Sequence, residues 1–139
     1  MPEADVLSSA NPPGVGKSLL YVGGDTWGAW SGVIKPANGG TEIALEFTTP
    51  PKALRTNIIW AANFDQNNEN AYIGIEVLID GTIVILNRGE TTSTGDFSVS
   101  FPYNLGPFIL PGLSEIVIQV TASVGAGVDQ FITLVATEL

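Results

Sequence analysis

Short segments in which apolar residues alternate with polar or small ones recur along this chain, and they constrain its fold more than any other feature. Between Glu42 and Thr48, for example, Ile43, Leu45 and Phe47 occupy every second position. A period of two is the pattern of an antiparallel strand with one buried face. No segment sustains the 3.6-residue period of an amphipathic helix. The pattern therefore predicts an all-β chain.

Turn-forming residues separate about eight or nine such segments. Asp80-Gly81 is a strong signal for a two-residue hairpin turn, and Gly125-Ala126-Gly127 predicts a second hairpin. The predicted strands are Leu19–Val22, Thr26–Ile34, Glu42–Thr48, Thr56–Ala62, Tyr72–Ile79, Thr82–Asn87, Phe97–Phe101, Ser114–Val124 and Val128–Thr137. Short strands of this spacing predict an antiparallel β-sandwich or jelly roll. A chain of 139 residues suits one such domain, which we assign to residues 19–139.

Apolar side chains on both faces of two predicted strands indicate more apolar surface than one core needs. A two-residue turn at Asp80-Gly81 predicts the pairs Ile79–Thr82, Leu78–Ile83, Val77–Val84, Glu76–Ile85 and Ile75–Leu86. The last strand places Phe131, Val135 and Leu139 on one side and Ile132, Leu134 and Ala136 on the other. The second apolar face indicates either a thick core or covering loop, or a subunit interface. We expect a homo-oligomer, with a trimer favoured.

Residues 1–18 are rich in Pro and Gly and predict an extended N-terminal arm. Holding such an arm in place costs about 1–2 kcal/mol per residue in backbone entropy, so it needs many contacts. Its own apolar side chains are few. We therefore expect the arm to bind another chain, with four candidate partner-binding residues, Val6, Leu7, Pro12 and Pro13.

The segment Pro102–Leu113 has the Pro and Gly content of a loop but the apolar content of a core. Loops normally run over the surface and carry polar residues. The segment is therefore interpreted as a loop, either a plug over one end of the sandwich or a docking loop. In the second case Tyr103, Phe108 and Leu110 are the candidate anchors for a partner's pocket.

Composition excludes several classes of chemistry. The chain has no Cys and no His, which removes thiolate sites, the Ser-His-Asp triad and most zinc and iron sites. Five Lys and Arg stand against fourteen Asp and Glu, so nucleic acid and anionic membrane surfaces are not expected partners. No basic and apolar leader is visible at the start, and no apolar stretch approaches the ~20 residues that span a bilayer. We expect a protein made in the cytoplasm with no catalytic, cofactor or metal site.

Two motifs resemble catalytic or nucleotide sites without meeting their requirements. The residues Gly14–Ser18 end like a phosphate loop, but Asn11 stands where the first glycine belongs and no helix signal follows. Glu42 and Glu46 share one predicted strand face about 13 Å apart, which is wider than a glycosidase pair needs. These glutamates are interpreted as the solvated face of an edge strand, and the chain is not expected to be an enzyme.

Asp65, Asn67, Glu69 and Glu76 have the spacing of ligands in a calcium-binding loop. Asn70 replaces the glycine that normally makes the sharp turn, and the segment that carries Glu76 is a predicted strand. A polar turn between strands explains the same residues. A calcium-binding loop and a polar turn both remain open interpretations of these residues. The prediction of no cofactor follows from the polar turn.

Three tryptophans offer a second binding hypothesis. Trp27, Trp30 and Trp60 would form a sugar-stacking platform if they shared a face. Trp27 and Trp30 are three residues apart, so a regular strand sends them to opposite faces unless a bulge intervenes, for which Gly28 is the candidate. Core tryptophans are the alternative.

An acidic Pro/Gly arm, a compact all-β body and surplus apolar faces together resemble bacteriophage capsid decoration (cement) proteins. Those are small β-rich subunits, often trimeric, that bind assembled shells and clamp neighbouring major capsid subunits. The resemblance is architectural and assigns no individual residue. It implies a non-enzymatic structural protein located in the virion, with a major capsid or other virion protein as partner. A tail, fibre or pilus subunit fits the same features, and the alternative from another class is a carbohydrate-binding module or lectin-like β-sandwich.

Overall fold

A computed structural model describes residues 18–36, 39–64, 72–90, 102–123 and 128–139, and all the regular structure in these ranges is β-strand. The strands are β1 Leu20–Gly23, β2 Thr26–Ile34, β3 Thr41–Thr48, β4 Leu54–Phe64, β5 Tyr72–Ile79, β6 Thr82–Glu90, β7 Tyr103–Leu110, β8 Glu115–Ala122 and β9 Val128–Glu138. The all-β prediction is confirmed. The predicted arm and the predicted strand Phe97–Phe101 lie outside the described residues, apart from Ser18.

Two antiparallel sheets form a sandwich. The five-stranded sheet has the order β1-β2-β9-β4-β7, and the four-stranded sheet has the order β3-β8-β5-β6. From β2 onward the chain changes sheet at every connection except the β5–β6 hairpin. The eight strands β2–β9 thus fill two four-stranded layers, as in a jelly roll, and β1 extends one of them. The predicted sandwich is therefore confirmed.

Aliphatic side chains from the inner faces of both sheets fill the core. Strand β9 shows how the alternation works, because Ile132, Leu134 and Ala136 are buried while Phe131 and Val135 are exposed. This outcome confirms the predicted division of the last strand. Each fully buried Ile or Leu contributes about 1.5–3 kcal/mol relative to exposure, so the inner faces supply the main stabilisation of the fold.

The Asp80-Gly81 turn forms as predicted, but the register changes along the hairpin. Both turn residues have positive φ, as the favoured hairpin turn requires. The pairs Ile79–Thr82 and Leu78–Ile83 are confirmed. Beyond these pairs Val84 has no partner in β5 and forms a bulge. The rest of β6 is therefore shifted by one residue relative to β5. The predicted pairs Val77–Val84, Glu76–Ile85 and Ile75–Leu86 are therefore wrong, and the observed pairs are Val77–Ile85, Glu76–Leu86 and Ile75–Asn87.

The predicted second hairpin is wrong. Strand β8 lies in the four-stranded sheet between β3 and β5, whereas β9 lies at the centre of the five-stranded sheet. The connection after β8 therefore crosses from one sheet to the other. A glycine-rich turn indicates that the chain reverses, but it does not tell a hairpin from a crossing between layers.

The loop prediction for Pro102–Leu113 is also wrong, because β7 occupies most of this segment and pairs with β4. Strand β7 is an edge strand that pairs with β4 only. Pro107, which has no backbone N–H, therefore breaks no hydrogen bonds to a strand on the other side. The register shifts between Thr56 and Ile58, opposite Gly106-Pro107. Gly106 has a φ of 128°, and a Cβ there would lie 2.7 Å from the Thr56 carbonyl oxygen. The residues that suggested a loop therefore form an irregular edge strand.

Strand β3 lies at the other sheet's edge, as the interpretation of its glutamates expected, but its alternation is broken. The register shifts between Ile43 and Leu45, so Ala44 and Leu45 are both buried and Ile43 is exposed. Glu42 lies opposite Val120 and Glu46 lies opposite Val117, which places the two glutamates on opposite faces. The expectation that they share a face is wrong for this reason.

Candidate functional site

The outer face of the five-stranded sheet exposes a group of large apolar side chains. Trp30 and Val33 on β2 are 58% and 62% exposed, and Val135 and Phe131 on β9 are 50% and 36% exposed. Val33 lies directly opposite Phe131, so these side chains are neighbours across the sheet. We call Trp30, Val33, Phe131, Val135 and the exposed Ile109 of β7 the five-strand face.

A bulge in β2 explains why Trp30 and Val33 share this face. Residues three positions apart point to opposite sides of a regular strand, but the register shifts between these two. Gly32 has a φ of 69° there, and the buried Ser31 hydroxyl accepts a hydrogen bond of 2.9 Å from the Ile132 N–H. Gly28, the candidate position for a bulge if the tryptophans formed a platform, pairs regularly with Val135 and forms none.

The three tryptophans do not form one platform. Trp27 is half-buried on the core side, and its Nε1–H donates to a Glu138 carboxylate oxygen at 2.9 Å. Trp60 is fully buried. The prediction that Trp27 and Trp30 lie on opposite faces is confirmed, and Trp30 is the one tryptophan of the three on the five-strand face.

A buried polar bridge joins the two sheets behind this face. The Trp60 Nε1–H donates to the Gln130 side-chain carbonyl at 2.8 Å, and the Gln130 amide donates to the Thr121 carbonyl of β8 at 3.0 Å. Tyr103 meets the Trp60 ring edge-on at a centroid distance of 6.5 Å. These contacts assign Trp60 and Tyr103 a packing role.

A shallow groove lies between β4, β7 and the end of the chain. Its volume is about 220 Å³, and its lining consists of Arg55, Pro107, Phe108, Ile109 and Leu139. Arg55 is exposed and sits in register between Ile109 and Thr137. The described residues include no hydrogen-bond or ion-pair partner for its guanidinium, whereas Lys35 pairs with Asp129 and Arg88 with Glu90. The groove therefore combines apolar walls with the positively charged Arg55 guanidinium.

The outer face of the four-stranded sheet is apolar at its β6 edge. Leu86 is 67% exposed, and Ile83 and Val84 are each about half exposed. We call Leu78, Ile83 and Leu86 the four-strand face, because the pairs Leu78–Ile83 and Glu76–Leu86 place them on the same side of the sheet. Val84, the unpaired residue of the β6 bulge, is exposed as well.

Polar contacts border the four-strand face. Glu76 accepts a hydrogen bond from the Gln119 amide on the neighbouring strand β8. The Arg88 guanidinium lies 3.6 Å from the centre of the Tyr72 ring and pairs with Glu90 at 3.1 Å. Charged and polar side chains therefore lie next to the exposed apolar ones, and Glu76 is directly opposite Leu86.

The structure places the predicted anchors of β7 largely against the core. Leu110 is fully buried, and Tyr103 and Phe108 are partly buried against the core cluster. Ile109 is 55% exposed between Phe108 and Leu110. Ile109 was not among the predicted anchors, because the segment was interpreted as a loop. Interpreted as a strand, its alternation predicts that Ile109 is exposed between two residues that face the core.

The other predicted partner-binding residues, Val6, Leu7, Pro12 and Pro13, lie outside the described residues. So do Asp65, Asn67, Glu69 and Asn70 of the calcium hypothesis. No group of three metal-ligating side chains occurs in the described ranges. Among the same residues, no helix is long and apolar enough to cross a membrane.

Comparisons with known proteins do not assign a family. No family model and no curated protein matches the chain. A crystal structure of the insecticidal delta-endotoxin Cry8Ea1 from Bacillus thuringiensis is similar at a TM-score of 0.36 and 13% identity, covering 77% of this chain and 19% of the toxin chain. The chain therefore spans less than two thirds of the toxin's length, and similarity at this TM-score supports no argument about function.

Proposed function

We propose that this protein is a non-enzymatic structural subunit of a viral particle, a capsid decoration (cement) protein that clamps neighbouring capsid subunits. The observation that carries the proposal is the pair of exposed apolar faces on a small sandwich. Burying apolar surface stabilises association by about 25 cal/mol per Å², so contiguous side chains of this size favour a protein partner. The viral setting rests on the architectural resemblance stated from the sequence.

The two faces suit two different contacts. We assign the homotrimer contact to the four-strand face, because Ile83 and Leu86 are exposed on the same side of the β5–β6 hairpin. We assign the capsid contact to the five-strand face, where Trp30 and Phe131 are the aromatic residues that most often dominate binding energy. The arm residues Val6, Leu7, Pro12 and Pro13 contact the neighbouring subunit in the assembled particle.

The strong acidity of the chain agrees with this role. A formal charge of −9 per chain opposes unspecific aggregation of the oligomers before they bind a shell. Among the described residues, Arg55 and the Lys35–Asp129 pair contribute charge near the five-strand face. Contact with a capsid protein there depends on shape and apolar area, and it should respond weakly to added salt.

Sedimentation equilibrium of the full chain tests the oligomeric part. We expect a trimer at high micromolar concentration, and a monomer for Leu86→Asp, because a carboxylate at the contact is costly to desolvate. Leu113→Asp is the matched control, since Leu113 is equally exposed at 71% but lies in the turn before β8. A monomeric parent chain would contradict the oligomer, and dissociation by Leu113→Asp would contradict the assigned face.

Co-sedimentation with assembled phage shells tests the capsid part. The parent chain should sediment with shells at a fixed ratio to the capsid protein, whereas Val135→Asp should stay in the supernatant. Val135 is half exposed on β9, so this substitution should leave the fold intact, and far-ultraviolet circular dichroism checks that. Shells that never retain the parent chain would refute the capsid role.

Carbohydrate binding is the second candidate, and the exposed Trp30 ring favours it. Trp30 lies in one row with Thr133, Ile59 and Asn104 across the sheet, which places an aromatic surface beside groups that can hydrogen-bond a sugar. Titration with oligosaccharides, followed by tryptophan fluorescence and repeated with Trp30→Ala, tests it. A saturable signal that Trp30→Ala abolishes, from a chain that does not trimerise, would favour the lectin-like reading.

A further inference from the structure

Leu113, in the turn between β7 and β8, is the most exposed large apolar side chain of the described residues, at 71%. Its φ is 53°, in the left-handed region that is strained for a residue with a Cβ and that glycine adopts freely. A turn that only reversed the chain would be served better by glycine, and a solvent-exposed position by a polar residue. Strained residues cluster at functional sites, so the combination indicates that the Leu113 side chain contacts another molecule.

Hydrogen bonds to the loop after β3 hold this turn in one conformation. The Leu113 N–H donates to the Pro50 carbonyl at 3.0 Å. The buried Thr49 hydroxyl donates to the Pro111 carbonyl at 2.6 Å and accepts from the Ser114 N–H at 2.8 Å. The backbone on both sides of Leu113 is therefore fixed, and a partner that binds this side chain does not have to order a loop.

The turn continues the five-strand face around the end of β7. Ile109, a member of that face, is exposed, Leu110 is buried, and Pro111 and Leu113 are exposed again. Two exposed side chains cover far less than the roughly 800 Å² per partner of a stable interface. Such a small contact is effective as the second anchor of a partner that is already bound nearby, because the first contact raises the effective concentration of the second.

We propose that the Leu113 side chain inserts into an apolar pocket of the capsid protein, as a second anchor beside the five-strand face. The inference rests on the proposed function, in which that face makes the first capsid contact. A protein that clamps neighbouring subunits needs two contacts, and here one lies on the face of a sheet and the other at the end of its strands. The trimer contact is assigned to the four-strand face, which leaves Leu113 to the capsid protein rather than to a second copy.

Truncation of Leu113 tests the anchor by co-sedimentation with assembled phage shells. Leu113→Ala should raise the apparent dissociation constant for shells at least about tenfold, because it removes most of the apolar area that the pocket buries. Leu113→Met is the matched control, since it keeps a similar apolar volume, and it should bind within about threefold of the parent chain. Sedimentation equilibrium of Leu113→Ala should still show the trimer.

A comparison of Leu113→Gly with Leu113→Ala tests the strain. Both variants lack the leucine side chain, but only glycine adopts the left-handed conformation without strain. Leu113→Gly should therefore unfold at a higher urea concentration than Leu113→Ala, whereas both should bind shells equally weakly. A lower urea midpoint for Leu113→Gly than for Leu113→Ala would overturn the argument that strain marks this residue.

The outcomes distinguish the anchor from the capsid role. Shells that retain the parent chain and Leu113→Ala equally well would overturn the anchor and leave the capsid role standing. Loss of the trimer in Leu113→Ala would also overturn it, because Leu113 would then belong to a contact between copies. Shells that never retain the parent chain would refute the capsid role and the anchor together.

Discussion

Replacing Gln130 with leucine should destabilise the sandwich, because it removes a buried polar link between the two sheets. Gln130 is fully buried, and it links the Trp60 indole of its own sheet to the Thr121 carbonyl of the opposite sheet. Leucine keeps most of the side-chain volume but has neither the acceptor nor the donor. The substitution therefore removes both hydrogen bonds while leaving the packing of the core nearly constant.

The expected loss follows from the burial of the two partners. A buried donor or acceptor that loses its partner costs about 1–3 kcal/mol, and the Trp60 N–H lies at the upper end because its ring is fully buried. The Thr121 carbonyl is only partly buried and costs less. Leucine regains about 1 kcal/mol from apolar burial. The net decrease in the free energy of unfolding is therefore about 2–4 kcal/mol.

Urea denaturation measures this decrease. With a slope of about 2 kcal/mol per molar urea, the unfolding midpoint should fall by about 1–2 M at unchanged slope. Gln119→Leu is the matched control, because Gln119 is half-buried on the outer face, where water can replace its bond to Glu76. That variant should shift by less than about 0.5 M. Equal midpoints for Gln130→Leu and Gln119→Leu would refute the reasoning.

Two further comparisons use the same unfolding assay. Gly112→Ala should lower the free energy of unfolding by at least about 2 kcal/mol, because a Cβ there would lie 2.1 Å from the Pro51 carbonyl oxygen. Gly28→Ala should change it by less than about 1 kcal/mol, because the nearest atom to a Cβ at Gly28 is 3.5 Å away. Leu110→Ala should lower the free energy of unfolding by about 2–5 kcal/mol, because Leu110 is fully buried. Ile109→Ala should lower it by less than about 1 kcal/mol, because the neighbouring Ile109 is exposed. Similar decreases in the free energy of unfolding for Gly112→Ala and Gly28→Ala, or for Leu110→Ala and Ile109→Ala, would show that the packing assigned to these residues is incorrect.

Sequence periodicity predicted the strands well and their register only in part. Tyr72–Ile79 and Thr26–Ile34 have the predicted bounds, because long alternating runs leave few other structures open. A one-residue bulge, as in β6 or β3, leaves no mark on the composition of a strand. Beyond the bulge, however, every side chain lies on the opposite face from the one that regular alternation predicts. For this reason the exposure of Val84 and Ile43 followed from the pairing of strands rather than from the pattern.

The candidate surfaces were less predictable for the same reason. The exposure of Phe131 and Val135 follows from simple alternation, but Val33 joins Trp30 only because Ser31 and Gly32 form a bulge. A Ser-Gly pair inside a strand was the available signal. The groove beside Arg55 depends on β7, which proline and glycine made look like a loop, so no argument from the sequence brought its residues together.

The edges of the two sheets carry features that oppose the addition of a further strand. Strand β1 has only four residues, and β7 carries Pro107, whose missing N–H cannot extend a ladder. Strands β3 and β6 contain bulges, and β6 ends in the charged pair Arg88 and Glu90. Short strands, proline, bulges and charges are the devices that prevent a sheet from adding a further strand. If the protein associates as proposed, edges that resist pairing leave the faces that expose Trp30 and Leu86 as the contact surfaces. Such contacts depend on complementary shape, so we expect association to stop at a defined number of copies.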